Sequence, residues 1–445
     1  MKRRLLAAAS LVLALAAVVR ADVSLPAVFG SHMVLQQEKP VAVWGWAAPG
    51  EEVTVALDGQ SATATADSAG AWKVQLPALK ADGKVRKMVV QGKNKIEFED
   101  ILVGEVWLGS GQSNMEWSVA GSQKAKEAIA AADQPQIRLF NVPKVQTKEP
   151  AKDVKAQWAV CTPQTVPNFS GVLYFFGLRV QKELKVPVGL MNISWGGSPI
   201  EAWIAGEKAS GGMYNGMIAP VKPFAIRGAL WYQGESNVGN GLAYAGKMKD
   251  LIEGWRKLWG YEFPFYFVQI APFAGYGPGM LPPLWEAQVE SLKLPNTGMA
   301  VVTDLVDNIK DIHPQNKIDV GDRLAFWALA KDYGKKDVVY SGPLFKCMKI
   351  DGSKARLSFA HVGGGLKSRD GKPLTEFEAA GADGKFVPAE AAIDGETVVV
   401  EAKGLSEPKQ VRFGWSNTAN PNLINAAGLP ASPFQSKDWR GGTGE

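Results

Sequence analysis

Between residues 101 and 340, short apolar runs alternate with longer stretches of helical periodicity. Continuous apolar strands of this kind are typical of a parallel sheet that helices cover on both faces. The expected strands are Val103–Leu108, Val186–Ile193, Ala225–Trp231, Phe265–Ile270 and Met299–Leu305. The expected helices are Gln123–Ala132, Phe175–Glu183, Ala243–Leu258 and Val320–Lys331. We therefore predict an α/β fold whose site lies at the carboxyl ends of the strands.

The segments on either side of this region alternate with period two. Strands such as Val41–Trp46 and Glu52–Leu57 are separated by Pro-Gly and Asp-Gly turns, which predicts a small β-sandwich. Strand patterns return at Ala355–Phe359 and Thr397–Glu401. The predicted organisation is an N-terminal β-sandwich domain (22–100), a central α/β domain (101–340) and a C-terminal β region (341–445).

Residues 1–21 have the features of a secretory signal peptide. Lys2, Arg3 and Arg4 precede the apolar run Leu5–Val19, and small residues lead up to an expected cleavage after Ala21. A retained membrane anchor is the alternative, but this apolar run is short for a membrane span. We expect an exported protein, periplasmic or extracellular.

Removal of the signal peptide changes the charge balance. The full chain has a formal net charge of +5, and residues 1–21 hold four basic residues and no acidic one, which leaves about +1. We therefore expect no nucleic-acid partner and, after cleavage, no membrane association. The sequence makes no prediction about the oligomeric state.

Few residues are available for metal binding or disulfide formation. The chain has three histidines (His32, His313 and His361), so a zinc site built on several histidines is nearly excluded. Its two cysteines, Cys161 and Cys347, lie far apart, and we expect two unpaired buried thiols, although an exported protein permits a disulfide.

A glycine-rich turn follows the first predicted strand of the central region. It reads Gly109-Ser-Gly-Gln-Ser-Asn-Met, and it could bind phosphate or present Ser113 as a nucleophile. It lacks the lysine of a phosphate-binding Walker loop, and Met115 stands where the Gly-x-Ser-x-Gly elbow has its second glycine. A simple polar turn is the alternative.

Two further motifs follow the next strands. Ser194-Trp-Gly-Gly contains adjacent glycines that can turn a backbone N–H outward, as an oxyanion donor requires. Gln233-Gly-Glu-Ser-Asn offers a neutral amide that could stabilise a developing negative charge. Alternatively, Gln233 and Glu235 satisfy the buried backbone of their own loop.

The last motif, Asp311-Ile-His-Pro, follows the final strand. Asp311 is close enough to accept a hydrogen bond from the Nδ1–H of His313, which would fix the tautomer that a serine nucleophile needs in its base. A lone histidine is more often structural, but this position and the local aspartate favour catalysis. His32 and His361 fall in the β regions and are predicted to be packing residues, unless a loop brings one of them to the edge of the cleft.

Taken in order, four blocks of this chain resemble the SGNH-type serine esterases, specifically the sialate O-acetylesterase and acetylxylan esterase family. The blocks are Gly111-Gln-Ser-Asn-Met, Trp195-Gly-Gly-Ser-Pro-Ile-Glu-Ala-Trp, Trp231-Tyr-Gln-Gly-Glu-Ser-Asn and Asp311-Ile-His-Pro. The N-terminal stretch around Val43-Trp-Gly-Trp and the closing motif from Asn422 are also similar to bacterial members. The resemblance thus spans nearly all of the mature chain and implies an SGNH-hydrolase-like parallel sheet in the central, catalytic domain.

The resemblance also implies roles for individual residues. Ser113 would be the nucleophile and His313 the general base. The oxyanion hole would consist of the Ser113 N–H, the N–H of Gly197 or Gly196, and the Gln233 amide. The residues expected to bind substrate are Gln112, Asn114, Glu235, Asn237 and Trp195.

The acidic partner of His313 departs from the wider superfamily. The usual spacing Asp-x-x-His would place the acid at position 310, where this chain has Lys310. Asp311, one residue nearer, is therefore the predicted third member of the triad. Asp304, Asp307 and Glu235 are alternatives, as is a Ser–His dyad.

The resemblance implies removal of O-acetyl groups from a carbohydrate, such as sialate 9-O-acetyl or xylan acetyl esters, through an acyl-enzyme. That mechanism needs no metal and no organic cofactor. The alternatives are a non-catalytic carbohydrate-binding protein and a lipid-ester hydrolase.

Overall fold

The computed structural model describes residues 22–206 and 211–436, so the predicted signal peptide (residues 1–21) lies outside the described residues. No helix in the described ranges combines the length and the apolar character needed to cross a membrane.

The N-terminal part consists of short strands with alternating burial, as their period-two sequences predict. They are β1 Val34–Gln36, β2 Val41–Trp46, β3 Glu52–Leu57, β4 Gln60–Thr65, β5 Ala71–Leu76, β6 Arg86–Gln91 and β7 Lys95–Gly111.

Strand β7 connects the N-terminal β region to the central sheet. Burial alternates from Lys95 to Asp100 and is continuous from Ile101 to Gly111. Its first part pairs antiparallel with β6, and its last part pairs parallel with strands of the central sheet. The predicted boundary between residues 100 and 101 therefore falls inside one strand, where its environment changes.

The central region is the predicted parallel sheet with flanking helices, and this prediction of the fold class is confirmed. Its strands after β7 are β8 Gln134–Asn141, β9 Trp158–Cys161, β10 Val188–Ser194, β11 Gly228–Tyr232, β12 Phe265–Gln269 and β13 Thr297–Val301. Its helices are α1 Ser113–Glu116, α2 Ala125–Ala130, α3 Gly171–Leu184, α4 Tyr244–Trp259, α5 Leu281–Glu290 and α6 Lys317–Lys331. Helix α3 packs against α6, and α4 packs against α5.

The order of the strands marks one place in the sheet for a site. The order is β13-β12-β11-β7-β10-β8-β9, parallel except for the antiparallel edge strand β9. The next strands along the chain (β8, β9 and β10) lie on one side of β7, and the later strands (β11, β12 and β13) lie on its other side. The carboxyl end of β7 is therefore the switch point of the topology, where ligands bind in open α/β sheets.

The C-terminal region is built of antiparallel strands with their own core of phenylalanines, including Phe345, Phe413 and Phe434. The strands are β14 Leu344–Asp351, β15 Lys354–Ala360, β16 Leu366–Ser368, β17 Phe377–Ala380, β18 Phe386–Pro388, β19 Glu390–Asp394, β20 Thr397–Glu401, β21 Gln410–Phe413, β22 Leu423–Asn425 and β23 Phe434–Gln435. Gln269 Nε2 donates to Ser432 Oγ at 2.9 Å, which links this region to the central sheet.

Both cysteines are free, as predicted from their separation. Cys161 is buried at the end of β9. Cys347 is exposed on β14, so the prediction that both thiols are buried was wrong.

Candidate active site

Ser113 lies at the switch point of the sheet, as the first residue of the short helix α1. The turn before it depends on Gly111, whose φ is +132° and where a Cβ would lie 2.2 Å from the backbone oxygen of Tyr232. Only glycine permits this approach of β7 and β11. The local sequence therefore brings the Ser113 hydroxyl out of the sheet at a fixed position.

His313 meets Ser113 from the loop between β13 and α6. Its Nε2 is 2.8 Å from Ser113 Oγ, which is hydrogen-bond distance. Trp117, at the end of α1, stacks on the imidazole with ring centroids 4.8 Å apart and an angle of 20° between the planes. The predicted serine and histidine are thus brought together, and an aromatic face holds the imidazole ring.

Asp311 lies beside the other nitrogen of the imidazole. Its Oδ1 accepts the backbone N–H of His313 at 2.9 Å and is 3.5 Å from Nδ1. The carboxylate therefore favours the tautomer that carries its proton on Nδ1 and leaves Nε2 free to accept. The alternative acids Asp304 and Glu235 have other partners, Arg323 for the first and Asn114 for the second.

The electrostatics keep His313 neutral. Burial lowers the pKa of His313 from its ordinary value of 6.5, and the nearby Lys317 ammonium lowers it further, while Asp311 acts in the opposite direction. A neutral imidazole is the form that can accept a proton from Ser113.

His32 and His361 take no part in this arrangement. His32 Nδ1 is 2.7 Å from a carboxylate oxygen of Asp100, which also pairs with Arg138. His361 packs against Tyr340, with ring centroids 5.3 Å apart. Neither residue lines the pocket that contains Ser113.

The Gly196-Gly197 turn lies against the nucleophile, but only one of its N–H groups is available. A Cβ on Gly196 would lie 3.3 Å from the Ser113 Cβ. The Gly196 N–H donates to Glu116 Oε2 at 2.6 Å, which favours Gly197 over Gly196 as the predicted donor. Among the described residues, the N–H groups of Ser113 and Gly197 have no acceptor, which leaves these two as candidate donors.

Gln233 is also engaged with other protein groups, and its predicted role in the oxyanion hole stays a prediction. Its side chain is fully buried, and its Nε2 already has acceptors in Asn237 Oδ1 at 2.7 Å and Gln112 Oε1 at 3.0 Å. Its Oε1 accepts from the Tyr244 hydroxyl. Because both N–H groups of one amide are used, Gln233 ties the strand ends together.

Four of the predicted substrate-binding residues are buried, and their role in binding stays a prediction. Gln112, Asn114, Glu235 and Asn237 are at most 8% exposed, and each hydrogen-bonds to other protein groups. They form the interior behind Ser113. Trp195 is half-buried and is not among the residues that line the pocket around Ser113, so its role stays a prediction.

An open pocket of about 610 Å³ contains Ser113 and His313. Its lining includes polar residues that sequence reasoning missed: Glu116, Asn141, Lys144, Asn168 and Asn192. Asn141 ends β8 and lies in register with Asn192 of the adjacent parallel strand β10. The strand-end rule would have found Asn141 had β8 been predicted, whereas Asn192 lies inside the predicted strand Val186–Ile193. Glu116 lies directly after the Gly-Gln-Ser-Asn-Met block.

A strand-end serine and histidine on a parallel α/β sheet define a candidate hydrolase site, and the comparisons agree. The model of the carbohydrate esterase family described as sialic acid-specific acetylesterase matches residues 103–329. The human sialate O-acetylesterase is 33% identical over 392 residues, covering 74% of this chain and 75% of the relative. The mouse sialate O-acetylesterase is 31% identical over 421 residues, covering 74% and 77%.

A solved structure extends the likeness to the flanking β regions. The carbohydrate acetylesterase from Xanthomonas citri superposes with a TM-score of 0.89 at 41% identity, covering 94% of this chain and all of that one. The chain therefore belongs to the sialic acid-specific acetylesterase family of carbohydrate esterases. It is a carboxylic ester hydrolase.

Proposed function

We propose that this protein removes O-acetyl groups from an acetylated carbohydrate through an acetyl-enzyme on Ser113. The observation that carries the proposal is the 2.8 Å contact between Ser113 Oγ and His313 Nε2 in an open pocket. Family membership and the names of the relatives support the ester class and the sugar.

The mechanism uses the two residues in two half-reactions. Ser113 Oγ attacks the acetyl carbonyl while His313 Nε2 takes the hydroxyl proton. The tetrahedral oxyanion is stabilised by the N–H groups of Ser113 and Gly197. His313 then protonates the departing sugar oxygen, so that the sugar leaves with a free hydroxyl group. A water molecule, deprotonated by the same nitrogen, attacks the acetyl-enzyme and releases acetate.

We propose Asp311 as the third member of the triad. Its Oδ1 lies 3.5 Å from Nδ1 and stays fixed because it accepts the His313 backbone N–H. A carboxylate in this place holds the ring orientation and stabilises the imidazolium that forms during each transfer.

The lining of the pocket favours a sugar over a lipid. The exposed amides of Asn141 and Asn168 offer hydrogen-bonding groups that suit hydroxyl groups. Lys144, the one lysine or arginine among the described residues of the lining, is paired with Glu116 at 2.5 Å. A long acyl chain would meet polar groups here, which disfavours it.

Acetate release from a panel of acetylated sugars tests the proposal. The panel comprises 9-O-acetyl sialate, acetylated xylan and 4-nitrophenyl esters of increasing chain length, all with purified protein. We expect acetate from at least one sugar and the highest kcat/KM for the acetyl member of the 4-nitrophenyl series. Activity that rises with chain length, or binding of the sugars with no acetate release, would contradict the proposal.

The pH profile of kcat/KM should follow the protonation of His313. The enzyme is active when His313 is neutral, so kcat/KM should rise with pH through the pKa of His313 and then level off. Because burial and Lys317 lower that pKa, the midpoint should lie below pH 6.5. Rates for 4-nitrophenyl acetate measure this, with circular dichroism at each pH as the control for folding. A midpoint at or above 6.5 would contradict the assignment of the base.

A further inference from the structure

A buried amide joins the turn that carries Ser113 to the loop that carries His313. Asn114 directly follows Ser113 and has no exposed surface. Its Nδ2 donates to the backbone oxygen of Ile312 at 3.0 Å and to Glu235 Oε1 at 2.6 Å. Since Ile312 directly precedes His313, this side chain spans the two segments whose spacing sets the 2.8 Å contact.

Two buried charges hold this amide from opposite sides. Lys317, the first residue of α6, has no exposed surface and donates from Nζ to Asn114 Oδ1 at 2.6 Å. The carboxylate of Glu235 takes the Nδ2 side, and in the described part of the chain its Oε2 has no hydrogen-bond partner. Because the Lys317 amine donates to Oδ1 and the Glu235 oxygen accepts from Nδ2, the two contacts fix the orientation of the Asn114 amide.

We propose that Lys317 and Glu235 are positioning residues that, through Asn114, hold the Ser113 turn against the His313 loop. We call Lys317, Asn114 and Glu235 the buried clamp. The proposal rests on the proposed function, because the geometry that the clamp maintains is the one used in ester hydrolysis. The clamp has no surface for substrate, and none of its members lines the pocket.

The clamp also sets the charge around the imidazole. Asp311 faces His313 from its own loop, and Lys317 faces it from α6. Helix α1 contributes the neutral Ser113, and Trp117 directly follows the helix. Glu116, the last residue of α1, is paired with Lys144. The Glu235 carboxylate, from the loop after β11, acts on Lys317 and counters the burial that lowers the Lys317 pKa to about 7.

Lys317→Met in the full chain tests the proposal. We expect kcat for 4-nitrophenyl acetate to fall by about 10- to 100-fold while KM changes by less than about threefold, since a misplaced dyad slows chemistry more than binding. The midpoint of kcat/KM should also move to higher pH, because losing the Lys317 charge raises the pKa of His313. Lys310→Met, which removes an exposed lysine from the same loop as His313, is the control and should keep wild-type values.

Glu235→Gln tests the other side of the clamp with little change in volume. It keeps an acceptor for Asn114 and removes the charge opposite Lys317, so we expect kcat of the folded variant to fall about 10-fold. In the variant that carries both Lys317→Met and Glu235→Gln, kcat should fall by less than the product of the two single fold-changes. The reason is that each single change leaves one buried charge unpaired.

Wild-type kcat in Glu235→Gln would overturn the proposal, whether or not Lys317→Met folds. So would a folded Lys317→Met variant whose pH midpoint is unchanged. These failures are distinct from failure of the proposed function, for which Ser113→Ala would have to stay active.

Discussion

Replacing Ser113 with Ala is expected to lower kcat for 4-nitrophenyl acetate by about 10³-fold or more. The Ser113 hydroxyl is the group within hydrogen-bond distance of His313 Nε2, and alanine leaves nothing there to attack the ester carbonyl. The remaining N–H donors would still bind the oxyanion of a slow attack by water. Initial rates of 4-nitrophenol release, with acetate release from an acetylated sugar, measure the effect.

Ser110→Ala is the matched control for this substitution. Ser110 lies on β7 three residues before Ser113, is fully buried, and its Oγ has no hydrogen-bond partner in the described part of the chain. Its removal should leave kcat near the wild-type value. Full activity in a folded Ser113→Ala variant would show that another residue is the nucleophile.

Replacing His313 with Gln is expected to lower kcat by about 10³-fold as well, because glutamine retains polarity but cannot take the proton of Ser113. The residual activity should also lose the rise of kcat/KM with pH, since the titrating group is gone.

Asp311→Asn should lower kcat by less, about 10²-fold, because the Asp311 Oδ1 lies 3.5 Å from Nδ1 and is partly solvated. Steady-state rates from pH 4 to 9 test both variants.

His361→Gln serves as the control histidine. Its ring packs against Tyr340 and lies outside the pocket, so kcat and the pH midpoint should match the wild type. If His313→Gln kept both the wild-type rate and the wild-type pH midpoint, His313 would be excluded as the base.

The position of the site could be predicted from the sequence, since apolar runs mark the strands and parallel strands bring their carboxyl ends together. Ser113 and His313 lie 200 residues apart and meet as expected. The direction of each side chain could not be predicted in the same way. Gln233 and Asn237 follow a strand just as Ser113 does, yet they hydrogen-bond to each other beneath the turn.

The missed elements have identifiable physical causes. Strand β8 contains Pro135 and Arg138 and so lacks the apolar run of a buried strand, although pairing with β10 buries its second half. Helix α5 begins with Leu281-Pro-Pro, and two consecutive prolines in a sequence usually suggest that no helix is present. Proline is well tolerated in the first turn of a helix, where its missing N–H has no intrahelical acceptor.

The predicted domain boundary at residue 100 is a further place where the sequence pattern and the structure differ. The change from alternating to continuous apolar residues predicts a new environment from Ile101 onward, and burial changes there. The pattern does not show that one strand continues through this point. Strand β7 therefore connects the N-terminal β region to the turn that carries Ser113 without a break in the strand.

Covalent labelling of the nucleophile tests the central claim most directly. The wild-type protein is incubated with diethyl 4-nitrophenyl phosphate, which phosphorylates an activated serine and releases 4-nitrophenol, and the modified peptide is located by mass spectrometry. We predict one diethylphosphoryl group per chain, located on Ser113, with activity lost in proportion to labelling and no labelling of Ser113→Ala. An inactivated enzyme with its label on another residue would contradict the account.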